Sequence, residues 1–430
     1  MRLVLKPPTT AELAILSTLE VACALGLAPA DGRPAVAAML YAAQAIIALC
    51  LIVRVWSRDD RFAVVLILFT AAAIRVPAFA SPPSLSNDAY RYVWDGELVL
   101  RGIDPHAATP LSPEAGQLRS TWLWPHIDYR TIPNVYPPLA LALFAVGALD
   151  SRDLEGVKLV ALGGDALVIA ALFAVLSARR MPRGRVALYA LHPLVAIEFA
   201  GNAHIEAWAI AGIVFAAASP AGGRMMRLAP LAIATAILTK IYPAVLAPIA
   251  FARNRVGLAI TAGVVAIAYV PELFRGHALG SAANYLGAQR FNASLGALFG
   301  IAGELVIVSI VAAISYLYVR RGGDKTVAVL ATIVAYLVSS PNVLPWYVLV
   351  LPALVCVVAR PFQGALRALS LGIVGWSFTV AIAYGAPSVW RESQPFGILA
   401  RVLEYVPLYA GLLGAALRAR RNGGPRVVAA

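Results

Sequence analysis

Long apolar segments separated by short clusters of basic residues restrict the fold of this chain more than any other feature. A helix needs about 20 apolar residues to cross the hydrocarbon core of a bilayer. Segments of this kind occur at 12–29, 35–53, 62–80 and 158–178, and shorter ones continue towards the C-terminus. Only 13% of the residues are charged, whereas soluble proteins contain about 25%. We therefore expect an all-α, polytopic transmembrane helical bundle, because a membrane β-barrel has alternating rather than continuous apolar residues.

The basic clusters indicate which end of each segment faces the cytoplasm, because Lys and Arg are enriched in cytoplasmic loops. The lysines and arginines behind the net charge of +13 lie in these clusters, so no nucleic-acid partner is predicted. The cysteines lie within apolar segments and indicate neither a disulfide framework nor a metal site. No metal ion and no cofactor are predicted. The cysteines are Cys23, Cys50 and Cys356.

The segment 135–149 decides how the rest of the chain threads through the membrane. It holds only about a dozen apolar residues. If it crossed, the next helix would end outside and leave the arginines at 179–185 on the wrong side. We therefore interpret it as a short or re-entrant helix. The remaining segments then alternate, giving about 12–14 membrane helices, cytoplasmic termini and one integral membrane domain over 1–430. Further segments are predicted at 186–199, 204–219, 228–238, 244–251, 257–270 and 327–338, with a turn at 31–34 and an outer loop at 390–394.

The first long polar region, 81–134, is predicted to be an extracytoplasmic loop that contains an amphipathic helix. Ser86 or Asn87 can cap the first turn of this helix, and Gly102 can end it. Helical spacing brings two carboxylates, a guanidinium and a phenol to one face, which we expect to be wet, while the aromatic residues opposite suit a membrane interface. The alternative is a solvated helix that only joins two spans. The residues of the predicted wet face are Asp88, Arg91, Tyr92 and Asp95.

This threading brings most of the unusual polar residues to one outer face, together with a second outer loop at 271–294. Ionisable residues beside a membrane are costly and are commonly functional. Acids next to cations suit a reaction on a phosphorylated lipid, in which the cations bind phosphate and a carboxylate accepts a proton from an attacking hydroxyl. The sequence has no glycine-rich phosphate loop and no Asp-x-Asp motif, which favours a lipid-linked donor. The outer-face residues are Asp88, Arg91, Asp95, Asn202, His204, Glu206, Lys240, Tyr242, Arg290, Asn292, Asn342 and Trp346.

Structural interpretations of the same residues stay open at this point. Lys240 follows a helix break and could be a lysine that extends to the interface. His204 could be a hydrogen-bonded histidine at a helix end. Glu198 and Glu206 could pair with cations for structural reasons only, and Asp165 lies in the middle of a span without an evident role.

The order of these motifs resembles the polyprenyl-phosphate-sugar-dependent glycosyltransferases of the GT-C superfamily, close to the bacterial mannosyltransferases of glycosyltransferase family 87. The resemblance covers most of the chain from Ser86 to Tyr347. Its elements are Asn-Asp-Ala-Tyr-Arg-Tyr-Val-Trp-Asp-Gly at 87–96, Gly-Ile-Asp-Pro at 102–105, Val-Tyr-Pro-Pro-Leu at 135–139, His-Pro-Leu at 192–194, Glu-Phe-Ala-Gly-Asn-Ala-His at 198–204, Thr-Lys-Ile-Tyr-Pro at 239–243, Ser-Pro at 340–341 and Pro-Trp-Tyr at 345–347.

The resemblance implies an integral protein of the bacterial inner membrane that moves a hexose, in the first place mannose, on the extracytoplasmic face. The implied donor is a polyprenyl monophosphate sugar and the acceptor a glycan or glycolipid. Inversion with Asp88 as general base is implied, which makes 81–134 the catalytic loop. Lys240, Arg290 and His204 are candidates to neutralise the leaving phosphate. Related enzymes often have a histidine just before Pro-Trp-Tyr, where this chain has Leu344.

Three functional alternatives remain open on the sequence. The same kind of carrier could deliver another sugar, such as glucose or arabinose. A lipid-linked sugar flippase or transporter is the alternative from another class, but it should show paired halves and polar residues at the middle of the bilayer. A non-catalytic membrane scaffold is a third interpretation, under which substitution of Asp88 would have no consequence.

Overall fold

The computed structural model describes residues 7–27, 33–276, 290–385 and 395–423, which are helical apart from loops and one isolated bridge between Phe291 and Asn342. The α-helices of eight or more residues are α1 (Thr10–Leu27), α2 (Pro34–Val55), α3 (Arg61–Ala80), α4 (Asp88–Leu100), α5 (Pro138–Gly147), α6 (Glu155–Ala178), α7 (Glu206–Ala218), α8 (Arg224–Thr239), α9 (Arg255–Arg275), α10 (Gly296–Arg320), α11 (Lys325–Ser339), α12 (Val350–Val357), α13 (Gly364–Thr379) and α14 (Pro395–Gly423).

Shorter pieces complete the described helical structure. They are 3₁₀ turns at Pro113–Ser120, Trp124–His126, Arg183–Val186, Tyr242–Leu246 and Pro345–Leu349, α turns at Ala187–Ala190, Pro193–Val195, Ala247–Ala250 and Ile382–Gly385, and a π turn at Ala196–Gly201. Besides the last two positions of the first apolar segment, 28 and 29, three predicted features fall wholly or partly outside the described residues. These are positions 31 and 32 of the predicted turn, positions 277–289 of the second outer loop, and the loop at 390–394.

Eight helices in the described ranges are long and apolar enough to cross a membrane: α1, α2, α3, α6, α9, α10, α13 with its continuation to Tyr384, and α14. Four further apolar helices are shorter, namely α5, α7, α11 and the segment Pro345–Val357. The described residues thus contain twelve apolar segments of these two kinds. The prediction of an all-α polytopic bundle is confirmed.

Two of the short apolar helices, α7 and α12, lie inside the bundle. Every residue of α12 is buried, and α7 is buried along nearly its whole length. A helix of the length of α7 reaches only about 20 Å, which is less than the hydrocarbon thickness. Its polar ends are tolerated because they are buried in protein. By contrast, α10 exposes large apolar side chains such as Leu298, Phe299 and Ile314, as expected of a helix that faces lipid.

The contacts of α3 and α6 define two ends of the bundle. Lys158, in the first turn of α6, donates to the carbonyl of Phe79 at 2.9 Å and to that of Ser81, at the end of α3. Arg183, just after α6, forms an ion pair with Asp59, just before α3, at 2.6 Å. The two helices are therefore antiparallel, and the chain leaves α3 and enters α6 at the same end. It follows that α5, which lies between them, does not cross, as the charge argument predicted.

Asp165, for which the sequence suggested no role, forms a buried ion pair within this helix pair. Its Oδ2 lies 2.5 Å from Nε of Arg75 on α3, and Arg75 also donates to the carbonyl of Ala190 at 2.8 Å. A buried carboxylate requires such a partner. Asp165 therefore joins α6 to α3.

The basic loops gather at the end of the bundle that carries Arg183. Arg179 donates to the carbonyl of Val357 at 2.7 Å, Lys325 to that of Ala216 at 2.8 Å, and Arg320 to that of Ala252 at 3.4 Å. We refer to this end as the basic end. The opposite end, where Ser81 and Lys158 meet and where α4 begins with Asp88, is referred to as the acidic end. The predicted threading requires this separation.

Helix α4 begins and ends where the sequence indicated, but its polar face is not wet. Ser86 Oγ accepts from the amide of Asp88 at 3.1 Å, and Gly102 has a φ of 72° just after the helix. Tyr92 and Asp95 are each only 1% exposed, so the prediction of a wet face through these two residues is wrong. The reason is that the loop after α4 folds back over the helix and shields that face from solvent.

Candidate active site

Asp88 is the first residue of α4, and its carboxylate faces a buried histidine at the acidic end. Asp88 Oδ2 lies 3.5 Å from His204 Nε2. The Asp88 side chain is 37% exposed, whereas that of His204 is 0% exposed. The separation is too long for a regular hydrogen bond. The carboxylate therefore keeps lone pairs available for a proton donor that arrives from outside.

A second, fully buried carboxylate orients His204 from the other side. His204 Nδ1 lies 2.9 Å from Glu198 Oε2, and the imidazole stacks on Trp346 with ring centroids 3.6 Å apart. Glu198 also accepts hydrogen bonds from Asn202 Nδ2 at 3.1 Å and from the hydroxyl of Tyr384 at 2.8 Å. The imidazole thus lies between one buried and one accessible carboxylate.

Unusual backbone conformations bring Glu198 and His204 together. Glu198 belongs to the π turn Ala196–Gly201, a type of turn that is common at functional sites. Ala203 follows with a φ of 61°, a conformation that costs a residue with a Cβ about 1–2 kcal/mol. The amide of His204 then donates to the carbonyl of Glu198 at 3.0 Å. The chain therefore turns back on itself within six residues, which aligns the two side chains.

The second charged pair joins the first residue of α7 to the residue after α8. Lys240 Nζ lies 2.5 Å from Glu206 Oε1 and 4.3 Å from the ring centroid of Tyr136. Within the described part of the chain neither Glu206 oxygen has a hydrogen bond of regular geometry, so we attribute the contact to charge. Lys240 has an extended backbone because α8 ends at Thr239, which confirms the predicted helix break.

The charges of these groups reinforce each other. The partial burial of Asp88 opposes its charge, but the neighbouring His204, with Lys240 and Arg91, outweighs this effect and lowers the pKa of Asp88. Burial likewise disfavours protonation of His204, but the adjacent carboxylates Asp88 and Glu198 raise its pKa to about 9. At neutral pH the site therefore contains an aspartate and an imidazolium.

Arg91 and Asp95 are bound mainly to each other and to the loop that covers α4. Arg91 Nε lies 2.9 Å from Asp95 Oδ1, and Arg91 Nη2 donates to the carbonyl of Ile132 at 2.9 Å. Asn134 Nδ2 donates to Asp95 Oδ2 at 2.5 Å. These contacts attach the loop to α4 behind Asp88. A donor-binding role for Arg91 and Asp95 stays a prediction.

The remaining predicted residues occupy different positions. Trp346 and Asn202 contact the His204–Glu198 pair directly. Tyr242 stacks on Tyr336 with ring centroids 5.2 Å apart. Arg290 is exposed at the first described position after 277–289. Asn292 is buried, and its Nδ2 donates to Glu404 Oε1 at 2.7 Å, so it belongs to a separate contact with α14.

Three residues of the site were not predicted as such. Glu198 was considered only as a structural partner, Tyr136 only as part of a motif, and Tyr384 lies beyond the segment that carried the resemblance. The run Glu-Phe-Ala-Gly-Asn-Ala-His was the available signal for Glu198. No local pattern marks Tyr384, because it reaches Glu198 from 186 residues away.

A separate group of possible metal ligands lies on the far side of Tyr136. His106 Nδ1 lies 3.2 Å from Glu272 Oε2 and 3.9 Å from Asp104 Oδ1. Their possible ligand atoms are all within 4.8 Å of one another. His106 Nε2 is 2.8 Å from the carbonyl oxygen of Tyr136. None of these three residues was predicted to belong to a site.

One comparison with known proteins identifies a family. A family model described as "Alpha-(1->6)-mannopyranosyltransferase, N-terminal domain", of the MptA_B family, matches residues 16–256. The matched range includes α4, the Glu198–His204 turn and Lys240. Neither the curated proteins nor the solved structures contain a match to the chain.

Proposed function

This chain belongs to the MptA_B family of alpha-(1->6)-mannopyranosyltransferases, and from that premise we propose that it transfers mannose from a polyprenyl monophosphate sugar to an acceptor hydroxyl with inversion. The proposed acceptor is a glycan or glycolipid. The reaction takes place on the extracytoplasmic face of the bacterial inner membrane, and Asp88 is the general base. The membrane bundle and the mannosyltransferase family are the premises; the donor, the stereochemistry, the base and the orientation are the proposal.

The observation that carries the proposal is the accessible carboxylate of Asp88 beside the buried imidazolium of His204. A general base has to be charged at the working pH and must reach the proton it removes. The 37% exposure of Asp88 provides access, and His204 at 3.5 Å keeps the charge. Glu198 and Glu206 are buried and already paired, so they are less suited to the task.

The transfer is a single displacement. Asp88 accepts the proton of the acceptor hydroxyl, the acceptor oxygen bonds to the anomeric carbon, and the bond from that carbon to the phosphate oxygen breaks. Polyprenyl phosphate leaves with the additional negative charge, which Lys240 and Arg290 are proposed to neutralise. Because His204 faces Asp88 and is buried, we assign it to the base rather than to the phosphate. Attack opposite to the leaving group gives inversion.

The position of the site supports a lipid donor and an extracytoplasmic orientation. Asp88, His204 and Lys240 lie at the acidic end, and the arginine clusters at 179–185 and 320–321 lie at the basic end. Basic loops face the cytoplasm in most membrane proteins. A polyprenyl carrier can reach the acidic end from within the bilayer. A flippase or transporter is less well supported, because its polar binding groups would be expected near the middle of the bundle.

The test is the substitution Asp88→Asn in purified protein or membranes, assayed with a panel of polyprenyl-phosphate sugars for release of polyprenyl phosphate. Asparagine keeps the shape but cannot accept the proton, so we expect the rate to fall by a factor of about 10²–10⁴ with unchanged folding. The matched control is Glu114→Gln, an exposed acid of the same loop, which should retain the wild-type rate. Wild-type turnover by Asp88→Asn would refute the role of the base, and absence of turnover with every polyprenyl-phosphate sugar would refute the donor.

A further inference from the structure

The Asp104–His106–Glu272 group connects two parts of the acidic end that are distant in sequence. Asp104 and His106 follow the end of α4, and Glu272 lies in the last turn of α9. His106 and Glu272 are buried, whereas the Asp104 side chain is 19% exposed. Arg275 lies 3.3 Å from Glu272 Oε1. The other oxygen of Glu272, Oε2, faces His106.

The hydrogen bonds of His106 assign the hydrogen on its ring. Its Nε2 lies 2.8 Å from the carbonyl oxygen of Tyr136, which can only accept, so Nε2 carries a hydrogen. The opposite nitrogen, Nδ1, therefore points towards two carboxylates. A proton on Nδ1 could bridge to one of them only, whereas a cation could bind all three groups. Histidines that bind metals commonly donate their far N–H to a backbone carbonyl in this way.

The separations are close to those of a metal site with mixed ligands. Bonds of about 2.0–2.2 Å to zinc at tetrahedral angles put two ligand atoms about 3.4 Å apart. The distance from Nδ1 to Glu272 Oε2 is 3.2 Å. Asp104 Oδ1 lies 3.9 Å from Nδ1 and also accepts from the amide of His106 at 2.9 Å, so metal binding requires a rotation of this partly exposed carboxylate that brings an oxygen closer by about 1 Å at most. Its exposure also provides an entry path and room for a water ligand.

We propose that Asp104, His106 and Glu272 bind a divalent transition-metal ion of the zinc type. One imidazole and two carboxylates suit zinc better than magnesium or calcium, which prefer oxygen ligands only. The two carboxylates balance the charge of the ion. The site is separate from Asp88, and the proposal does not depend on which sugar or acceptor the enzyme uses.

The metal site acts on the active site through Tyr136. His106 holds the backbone of Tyr136, whose ring lies 4.3 Å from Lys240 Nζ and whose hydroxyl lies 3.1 Å from that of Tyr92. With the ion bound, α9, the end of α4 and the segment before α5 are held together. The ion thus has a positioning role, and its presence is measurable without any assay of activity.

The test measures the zinc content of the full-length protein, purified in detergent with an affinity tag that contains no histidine. We expect about one zinc ion per chain in the wild type and nearly none in His106→Gln. The control is His126→Gln, an exposed histidine of the same loop that stacks on Tyr90, which should retain the ion. Removal of zinc by a chelator should lower the midpoint of thermal unfolding by about 5 °C, and added zinc should restore it only when His106 is present.

Three outcomes would overturn the proposal. The wild type could contain no zinc and show no thermal response to it, which would leave His106 with only its contacts to Glu272 and Tyr136. His106→Gln could keep its zinc, which would mean that the ion binds elsewhere. If His106→Gln does not fold, Asp104→Asn is measured in its place, and full zinc content in that variant would refute the site.

Discussion

His204 lies beside Asp88 and is buried, so we propose that it holds the charge of Asp88 rather than binding the donor phosphate. One ring nitrogen faces Glu198 and the other faces Asp88, while the ring face is covered by Trp346. Its pKa is raised to about 9, because the neighbouring carboxylates outweigh the effect of burial. The imidazolium is therefore present at neutral pH. Its stabilisation of the charged Asp88 is lost as the pH rises through about 9. In the proposed mechanism, His204 and Glu198 are positioning residues that act through Asp88.

A pH profile tests this arrangement at the level of single residues. We expect wild-type activity to fall as the pH rises through about 9, where His204 loses its proton. Glu198→Gln removes one of the three negative charges that raise the pKa of His204, the others being those of Asp88 and Glu206, so the alkaline fall should move to lower pH. The measurement is the rate of mannosyl transfer against pH for both proteins at saturating donor.

Glu114→Gln is again a suitable control, because it removes an exposed carboxylate far from the imidazole and should leave the profile unchanged. An unchanged profile in Glu198→Gln, with activity lowered equally at every pH, would mean that Glu198 only supports the fold.

Helix α4 carries Asp88, and its position depends on close backbone contact with α5. A Cβ added at Gly96 would lie 2.2 Å from the carbonyl oxygen of Phe144 and 2.7 Å from the Cβ of Ala148. The first of these atoms belongs to the backbone of α5 and the second to the alanine that follows α5, so neither can rotate away from the added Cβ. The aromatic pair Tyr92 and Phe144 stacks beside this contact with ring centroids 4.3 Å apart. The two helices therefore fit only without a side chain at position 96.

Gly96→Ala should separate α4 from α5 and displace Asp88. We expect a loss of stability of about 1–3 kcal/mol, together with a fall in transferase activity, because the added methyl group overpacks a buried contact. Thermal unfolding in detergent and the transfer assay measure the two effects.

The matched control for this element is Gly263→Ala on α9, where an added Cβ has no atom within 4 Å. The same chemical change should there be neutral or slightly stabilising, as alanine favours a helix over glycine. If Gly96→Ala were as stable and as active as Gly263→Ala, the close contact between α4 and α5 would be wrong.

The whole molecule has an acidic end with the candidate active site and a basic end with the arginine-rich loops. These ends are separated by the length of α3 and α6, and the proposed orientation puts the acidic end outside the cell. Glu114 is exposed in the loop after α4, and Arg360 is exposed in the loop after α12 at the basic end. Each position can report the side of the membrane on which it lies.

Labelling of single cysteines tests this orientation. In a chain whose Cys23, Cys50 and Cys356 are replaced by alanine, Glu114→Cys should react with a membrane-impermeant maleimide on intact cells. Arg360→Cys should react only after permeabilisation. The opposite pattern would put the site in the cytoplasm and would refute the proposed use of an extracytoplasmic donor.

Local features of the sequence were sufficient for the long membrane helices and for the ends of α4. They were not sufficient for the predicted segments 186–199 and 244–251, which are series of short helical turns rather than single helices. Apolar length determines which segments can span, and Ser86, Gly102 and the break at Lys240 act on the backbone within one turn. The charge rule also led to the interpretation of 135–149 as a short helix, which agrees with the ten residues of α5. It could do so because each basic cluster adjoins the segment whose end it marks. These inferences succeeded since each depends on residues that are close together in the chain.

The burial of polar groups was decided by the tertiary structure alone. Asp88 and Asp95 lie about two turns apart on the same face of α4 and look alike in the sequence. The loop that follows α4 covers Asp95 with Asn134 but leaves Asp88 accessible. Tyr384 meets Glu198, and Glu272 meets His106, across 186 and 166 residues, respectively. The sequence by itself determined that this is a helical membrane protein whose unusual polar residues gather towards one end. The folding of distant segments over one another determined which carboxylate remains accessible to solvent. The reason is that solvent access and charge pairing depend on contacts that no local pattern encodes.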